Sequence, residues 1–248
     1  MYPNMYKNPT VTVDVWGEFA SFTQVQTKVE RRSYEVITPS AARGILCSIY
    51  MKPVEFYYQV RKIQVIDPGY SITMYQNNMK RKADPADARK TVRHAYIHSD
   101  NCRTRRGIEY LRHVYYRITA EMVPINGTNQ NKIRTEFYQR VLNGKCFRQP
   151  FLGMRECIAD FGPVNPKLCP IEDSKTYGLT LYDVFDIRKN IKLNTRTKGY
   201  NRNEVIKPMF YVPRMVHGTI EVPPYEDIIN RDRENSEKNN HFSERGSY

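Results

Sequence analysis

Tyr34-Glu35-Val36-Ile37-Thr38-Pro39-Ser40-Ala41-Ala42-Arg43-Gly44-Ile45-Leu46-Cys47-Ser48-Ile49-Tyr50-Met51-Lys52-Pro53 is the stretch on which the fold of this chain turns. Thr38 has the side chain of an N-cap, and Pro39 suits the first helical position, where a missing N–H costs nothing. Ala42, Ile45, Leu46 and Ile49 recur at helical spacing and give one apolar face about three turns long. The helix must stop near Met51, because the residue before Pro53 is pushed out of the α region. Tyr50 and Lys52 therefore fall at its C-terminal end, beside a strand that opens at Val54. A phenol and an ammonium at that corner are either ordinary surface groups or parts of a site.

Upstream, Val11–Trp16 alternates apolar and polar residues, the period of a half-buried strand, which Gly17 is expected to break. Downstream, Val54–Ile66 is rich in β-branched and aromatic residues and reads as a strand, with room for a bulge, ended by Asp67-Pro68-Gly69. Tyr70–Tyr75 can pair back as another strand. Tyr110–Val123 returns to strand character with Val114, Tyr116, Ile118, Ala120 and Met122 on one face. A second helix over Asn131–Leu142 buries Ile133, Phe137, Tyr138 and Val141, stops at Asn143-Gly144, and leads to a short strand near Phe161. The order β-α-β-β-β-α-β predicts an α+β, ferredoxin-like domain over residues 1–162. Gly162-Pro163-Val164-Asn165-Pro166 marks a boundary. Beyond it, Gly178–Asp186, Val205–Val212 and Gly218–Val222 predict a small antiparallel β domain over 163–224 with a basic loop, and 225–248 reads as a disordered tail.

The 248 residues carry a formal net charge of +13. That balance favours polyanions: nucleic acid or, less often, an anionic membrane surface. It is concentrated between Met79 and Arg117, where eleven basic residues face four acids, interleaved with His94, Tyr96 and His98. A basic arm at about 76–107 that tracks a phosphate backbone is the expectation. No apolar run approaches the roughly 20 residues of a spanning helix, and the N-terminus lacks the apolar core of a signal peptide. The five cysteines are odd in number, widely spaced and without a CxxC pair. They indicate neither a zinc site nor a disulfide framework, and suit reduced thiols in the cytoplasm.

Walker, Rossmann, HExxH, GxSxG and kinase patterns are absent, as is a recognisable pair of carboxylates for two-metal chemistry. His94 and His98 have metal-ligand spacing only if helical, and His217 suits a turn. What remains is a metal-free and cofactor-free way of breaking a phosphodiester. RNA carries its own nucleophile, the ribose 2′-hydroxyl. An enzyme need only align it, help remove its proton and stabilise the charge that develops. Tyr, Lys, His and Arg suffice, but composition alone cannot choose among 19 tyrosines.

Two motifs choose. Ser33–Ile45 with Ser48-Ile49-Tyr50-Met51-Lys52-Pro53, and Gly144-Lys145-Cys146-Phe147-Arg148-Gln149-Pro150-Phe151-Leu152-Gly153-Met154-Arg155-Glu156-Cys157, closely resemble segments of CRISPR-associated protein family five, Dvulg-type, subtype I-C. Val15-Trp16-Gly17-Glu18 with Phe22-Thr23 is similar to the same family's first strand and turn. The resemblance implies a RAMP-type ferredoxin-like fold and a metal-independent endoribonuclease that cuts the CRISPR repeat transcript at the hairpin base. It further implies that the product stays bound by its 5′ handle, and that the protein becomes a subunit of the type I-C Cascade complex beside the backbone and large subunits. Target DNA is met through that complex, with no membrane involved.

The family's catalytic Tyr falls on Tyr50. Counting back from the second motif, its Lys falls on Lys132 and its His position on Ile133, with Arg134 adjacent and able to stabilise a phosphorane. Ile cannot transfer a proton, so the imidazole must be supplied elsewhere, be dispensable, or be lost with some activity. Lys132 near Tyr50 would favour the tyrosinate. The expected RNA contacts are Arg43 and Lys52 of the first motif, Lys145, Arg148 and Arg155 of the second, and Lys80, Arg81, Lys82, Arg103, Arg105 and Arg106 of the arm. Ile133 also leaves open a runner-up, a handle-binding subunit whose nuclease is weak or absent. A general binder of structured RNA is a third reading.

Overall fold

The structure, a computed structural model, describes residues 8–27, 29–79, 103–125, 127–185 and 206–231. Its centre is β4 (Arg103–Pro124), which uses both edges. On one edge it pairs antiparallel with β1 (Thr10–Ala20), from Thr10↔Glu121 to Ala20↔Leu111. On the other it pairs with β2 (Phe56–Asp67), from Phe56↔Pro124 to Asp67↔Tyr115. β5 (Asp160–Gly162) completes the unit on the free edge of β1. The order β5-β1-β4-β2, with every neighbour antiparallel, is that of a ferredoxin-like β-α-β-β-α-β unit. The helices α1 (Pro39–Ile49) and α2 (Gln130–Leu142) touch each other and pack on β2, β1 and β4. Val114, Tyr116, Ile118, Ala120 and Met122 alternate along β4 and are all buried, as their spacing predicts.

α1 begins where Thr38 caps it, the hydroxyl accepting from the Ala41 N–H at 3.2 Å, and it seats Ala42, Ile45, Leu46 and Ile49 in the core. Burial of each of Ile45, Leu46 and Ile49 contributes about 1.5–3 kcal/mol of transfer free energy. α2 is capped by Asn129, whose side-chain Oδ1 accepts from the N–H groups of Asn131 and Lys132.

The structure corrects several expectations. β1 runs straight through Gly17, because a hydrogen there in place of a Cβ lets a second chain segment approach. A Cβ would stand 2.6 Å from Leu152 Cδ1 and 2.7 Å from the Ile158 carbonyl oxygen. Asp67-Pro68-Gly69 does not reverse the chain. β3 (Tyr70–Met79) continues in the direction of β2 and takes over the same edge of β4, from Tyr70↔Arg112 to Met79↔Arg103. The step between the two strands is a kink. Gly69 has φ +67°, its N–H bonds Asp67 Oδ1 at 2.8 Å, and opposite it His113 has φ 59°. Both ends of the expected arm are therefore ladder rather than irregular chain, residues 76–79 in β3 and 103–107 in β4.

The region beyond residue 162 is not a separate sheet. β9 (Arg214–Val216) and β10 (Thr219–Glu221) form a hairpin turned at His217 (φ 47°), and β10 adds to β2 through Ile220↔Ile63, extending the main sheet. β6 (Lys175–Thr176) pairs with β9 in the same sheet. Among the described residues, β7 (Thr180–Phe185) and β8 (Ile206–Tyr211) alone form a second, two-stranded sheet. Residues 225–231 are helical rather than disordered, with Tyr225 and Ile228 buried. The rest of that tail, the His94 and His98 pair, and the basic loop between β7 and β8 lie outside the described residues.

A buried charge pair fastens the segment after β5 to the sheet. Asp14 on β1 is fully buried and accepts from Arg117 Nε at 2.7 Å and Nη2 at 3.1 Å, from the Tyr115 hydroxyl, and from the Asn165 N–H. Arg117 also donates to the carbonyls of Asn165 and Leu168. Removing one partner of such a pair leaves the other charge uncompensated. Asp14→Ala is expected to lower unfolding free energy by about 3–5 kcal/mol in denaturant titration; an unchanged midpoint would refute the role given to this pair.

Candidate active site at the end of α1

Tyr50 is the C-cap of α1, with extended backbone (φ −148°, ψ 121°), and its N–H still bonds the Leu46 carbonyl. Its ring is buried against Phe56, at 5.3 Å between centroids, and its own carbonyl accepts from the Tyr58 hydroxyl at 2.8 Å. Lys52-Pro53-Val54-Glu55 then forms a turn, the Glu55 N–H bonding the Lys52 carbonyl at 2.9 Å. Proline at the second turn position presets this geometry. The turn brings the Lys52 ammonium back beside Tyr50, 5.7 Å from the ring centroid.

α2 supplies the other half. Ile133, Phe137 and Val141 face the core, so the neighbouring stripe of Lys132, Glu136 and Arg140 runs along its border, where Tyr50 lies. The Tyr50 hydroxyl donates to Glu136 Oε2. Lys52 Nζ stands 3.3 Å from that same oxygen and 3.3 Å from Glu55 Oε1. The Arg140 guanidinium lies over the Tyr50 ring at 5.2 Å. The second sequence motif docks on this corner: the N–H groups of Phe147 and Arg148 both donate to the Ser48 carbonyl, at 2.8 and 3.1 Å.

The electrostatics follow from these contacts. Desolvation first, and then the Glu136 carboxylate, push the Tyr50 phenol up to about 12, against the opposing pull of Lys52. The hydrogen bond from Tyr50 is the largest influence on Glu136. With Lys52 and the more distant charge of Lys132 it outweighs desolvation and holds the carboxylate below its usual range. Desolvation works against the Lys52 charge, but bonds to Tyr50 and Glu136 outweigh it and raise the ammonium. The expected tyrosinate is therefore corrected. Tyr50 faces an anion and is a neutral donor at physiological pH.

Tyr50, Lys52 and, through Glu136, Lys132 come together. Arg134 does not join them: it lies two residues on from Lys132, roughly 200° around the helix, with its guanidinium 5.8 Å from the Tyr138 ring. Ile133 is wholly buried, so a side chain at that position points into the core. Glu136, Arg140 and Glu55 were not among the residues expected from sequence. The signal for Glu136 and Arg140 is the polar stripe one residue ahead of the apolar one on α2; Glu55, in the turn before β2, has none.

The expected RNA contacts divide. Arg43 is not available: it is held by Asp183 through Nε at 2.7 Å and Nη2 at 2.8 Å, linking α1 to β7. Lys145, Arg148 and Arg155 are exposed on the segment after α2, with Arg148 5.6 Å from the exposed Phe147 ring. Arg105 lies 4.0 Å from the ring of Tyr75 on β3, and Arg103 and Arg106 sit with it in the β3–β4 ladder. Lys80, Arg81 and Lys82 lie outside the described residues. Among the described residues no cluster of three or more His, Cys, Asp or Glu is placed to hold a metal ion, and no helix is long and apolar enough to cross a membrane.

Fold and corner together define a ferredoxin-like protein with a tyrosine–carboxylate–lysine site between α1 and α2. The profile of the family Cas_Cas5d, described as CRISPR-associated protein (Cas_Cas5), matches residues 10–223. The chain is 32% identical over 231 residues to the Mannheimia succiniciproducens protein named CRISPR pre-crRNA endoribonuclease Cas5d, covering 87% of this chain and 95% of that one. A Thermus thermophilus protein of the same name is 32% identical over 216 residues, covering 85% and 90%. This chain belongs to the Cas5d family of CRISPR-associated proteins. Two solved structures share its fold, each with a TM-score of 0.59: a functionally uncharacterized Streptococcus mutans protein (18% identity, 91% of this chain and 97% of that one) and a CRISPR-associated protein (20% identity, 90% and 96%).

Two measurements test this geometry. Arg43→Lys cannot reproduce the bidentate bond to Asp183, and is expected to cost about 1–3 kcal/mol of stability while leaving the RNA affinity of the folded protein unchanged. A loss of affinity at full stability would return Arg43 to the RNA surface. Tyrosinate absorbance, taken as wild type minus Tyr50→Phe, should titrate with a midpoint of about 12. The folded state holds this proton more tightly than the unfolded chain does. The associated stabilisation is thus complete below pH ~10, the unfolded value, and fades as pH rises through the folded one. A midpoint at or below ~10 would contradict the Glu136 contact.

Proposed function

We propose that this protein is a metal-independent endoribonuclease that cuts CRISPR repeat RNA at the base of its hairpin by attack of a ribose 2′-hydroxyl. It then keeps the product by its 5′ handle as a cytoplasmic subunit of a type I-C Cascade complex, beside the backbone and large subunits. The observation that carries this reading is the meeting of Tyr50, Lys52 and the Lys132 stripe of α2 at one corner, in a chain 32% identical to proteins named pre-crRNA endoribonucleases. In-line attack needs the 2′ oxygen, phosphorus and leaving 5′ oxygen held in line, and cations near the phosphorane. Lys52, Lys132 and Arg140 supply the charge. Tyr50, wedged between Phe56 and α2, supplies a rigid edge against which the ribose can be set.

RNA is held on either side of this corner. Lys145, Arg148 and the exposed Phe147 offer phosphate contacts and a face for base stacking next to the end of α1. Arg105 on Tyr75 repeats that pairing on the β3–β4 ladder. A second reading, a handle-binding subunit without nuclease activity, is favoured by the burial of Ile133, which leaves that turn of α2 without an imidazole.

One assay separates the two. Purified protein is incubated with its own repeat RNA in EDTA and the RNA ends are mapped. The expected result is a single cut at the hairpin base, leaving a 2′,3′-cyclic phosphate and a 5′-hydroxyl. Repeat RNA that is bound tightly and stays intact would replace the enzyme with the binding subunit.

A further inference from the structure

Chemistry at this corner needs a proton acceptor, and the residues matched to the family do not supply one. Tyr50 is a phenol already donating its proton to a carboxylate. Lys52 is an ammonium in two ion pairs, Lys132 acts on Glu136 as a second positive charge, and Ile133 has nothing to titrate and faces the core. Glu136 has the right chemistry in the right place. Both of its contacts, with the Tyr50 hydroxyl and the Lys52 ammonium, fall on Oε2. Oε1 has no hydrogen-bond partner among the described residues, and the side chain keeps 36% of its exposure. A carboxylate has about four acceptor positions, so the bound oxygen fixes the orientation while the other is presented to solvent.

We propose that the Glu136 carboxylate is the general base of the reaction, with Tyr50 and Lys52 as positioning residues that aim its Oε1 at the ribose 2′-hydroxyl. The 2′-hydroxyl proton passes to Oε1 as the 2′ oxygen bonds to phosphorus. The P–O5′ bond breaks, and the 5′ oxygen takes a proton from water. The hydroxide so formed recovers the proton from Glu136, which returns to its ionised form. No oxidant, metal or net water is consumed, and the RNA products are a cyclic phosphate and a 5′-hydroxyl. The assignment explains how this chain can work with isoleucine at residue 133. The proton acceptor stands three residues further along α2, on the stripe that faces the site.

This inference rests on the nuclease reading above, and the test keeps the two apart. Single-turnover cleavage of repeat RNA by wild type, Glu136→Gln, Glu136→Asp and Tyr50→Phe is measured between about pH 6 and about pH 9, with affinity from mobility shift and thermal midpoints for each. Gln keeps the shape and can still accept from Tyr50, but it cannot take a proton. Glu136→Gln is expected to lose about 100-fold or more in rate with binding and thermal midpoint little changed, and Glu136→Asp to recover part of the loss. Tyr50→Phe should lose less than Glu136→Gln, because the base remains. A carboxylate base already ionised at the bottom of this range makes the wild-type rate flat in pH across it. Two results would overturn the inference while leaving the nuclease intact: a Glu136→Gln protein that cuts at the wild-type rate, or a wild-type rate that climbs tenfold per pH unit. Wild-type protein that binds without cutting would instead remove the nuclease reading, and this one with it.

Discussion

Everything in this molecule is hung on β4. A strand has two rows of backbone donors and acceptors, and a strand at the centre of a sheet must find partners for both. β4 gives one row to β1 and divides the other between β2 and β3, which lie end to end. That division is possible only because the chain kinks at Gly69 without turning back. A Cβ at Gly69 would stand 2.4 Å from the Arg112 carbonyl oxygen, so the step requires glycine. Once β4 is fixed, β1 and β2 are set on either side of it, and the helices that follow them have one place to lie. The Tyr50 corner results from that placement: the end of α1 and the first turns of α2 are neighbours because the strands they connect are neighbours.

The buried polar groups serve the same frame. Asp14 with Arg117, Glu121 with Arg61, and Asp183 with Arg43 each place a carboxylate with almost no exposure against an arginine. None of these pairs is generous in net stability, since desolvating two charges offsets most of their attraction. Their effect is on arrangement. Each joins segments that hydrophobic burial alone would leave free to slide: the segment after β5 onto β1, β2 onto β4, and β7 onto α1.

Much of this was legible in the sequence, for local reasons. The Thr38-Pro39 start, the apolar stripe of α1, the Pro53 stop and the alternation along β4 are decided within a few residues of one another, and they stand as read. The misreadings all concern partners far away in the chain. Gly17 looks like a breaker until Leu152 is known to lie over it. Asp67-Pro68-Gly69 looks like a reversal until β4 is known to be long enough for two strands. Residues 214–221 look like part of a separate sheet until β2 is known to have a vacant edge. Of the candidate site, Tyr50, Lys52 and Lys132 are marked by motifs. Glu136 and Arg140 carry no such mark: they lie on the border of the buried face of α2, and no local pattern says which border stripe will meet another helix. Arg43 misled for a related reason: a motif arginine on a helix surface gives no hint that Asp183 is waiting for it.

The β3–β4 ladder closes at Met79↔Arg103, with its last rungs well away from the helix-covered core. A chain that leaves and re-enters a sheet through two adjacent strand ends can change length between them at small cost, because closure entropy grows only slowly with loop size. Among the described residues, neither the register of β4 nor the contacts of α1 and α2 depend on how many residues intervene. The scaffold thus separates two evolutionary problems. The proposed cutting is tied to positions that core packing holds in place, while the length of chain between residues 79 and 103 can be revised by insertion and deletion. Related proteins can keep one reaction and diverge in what they grasp.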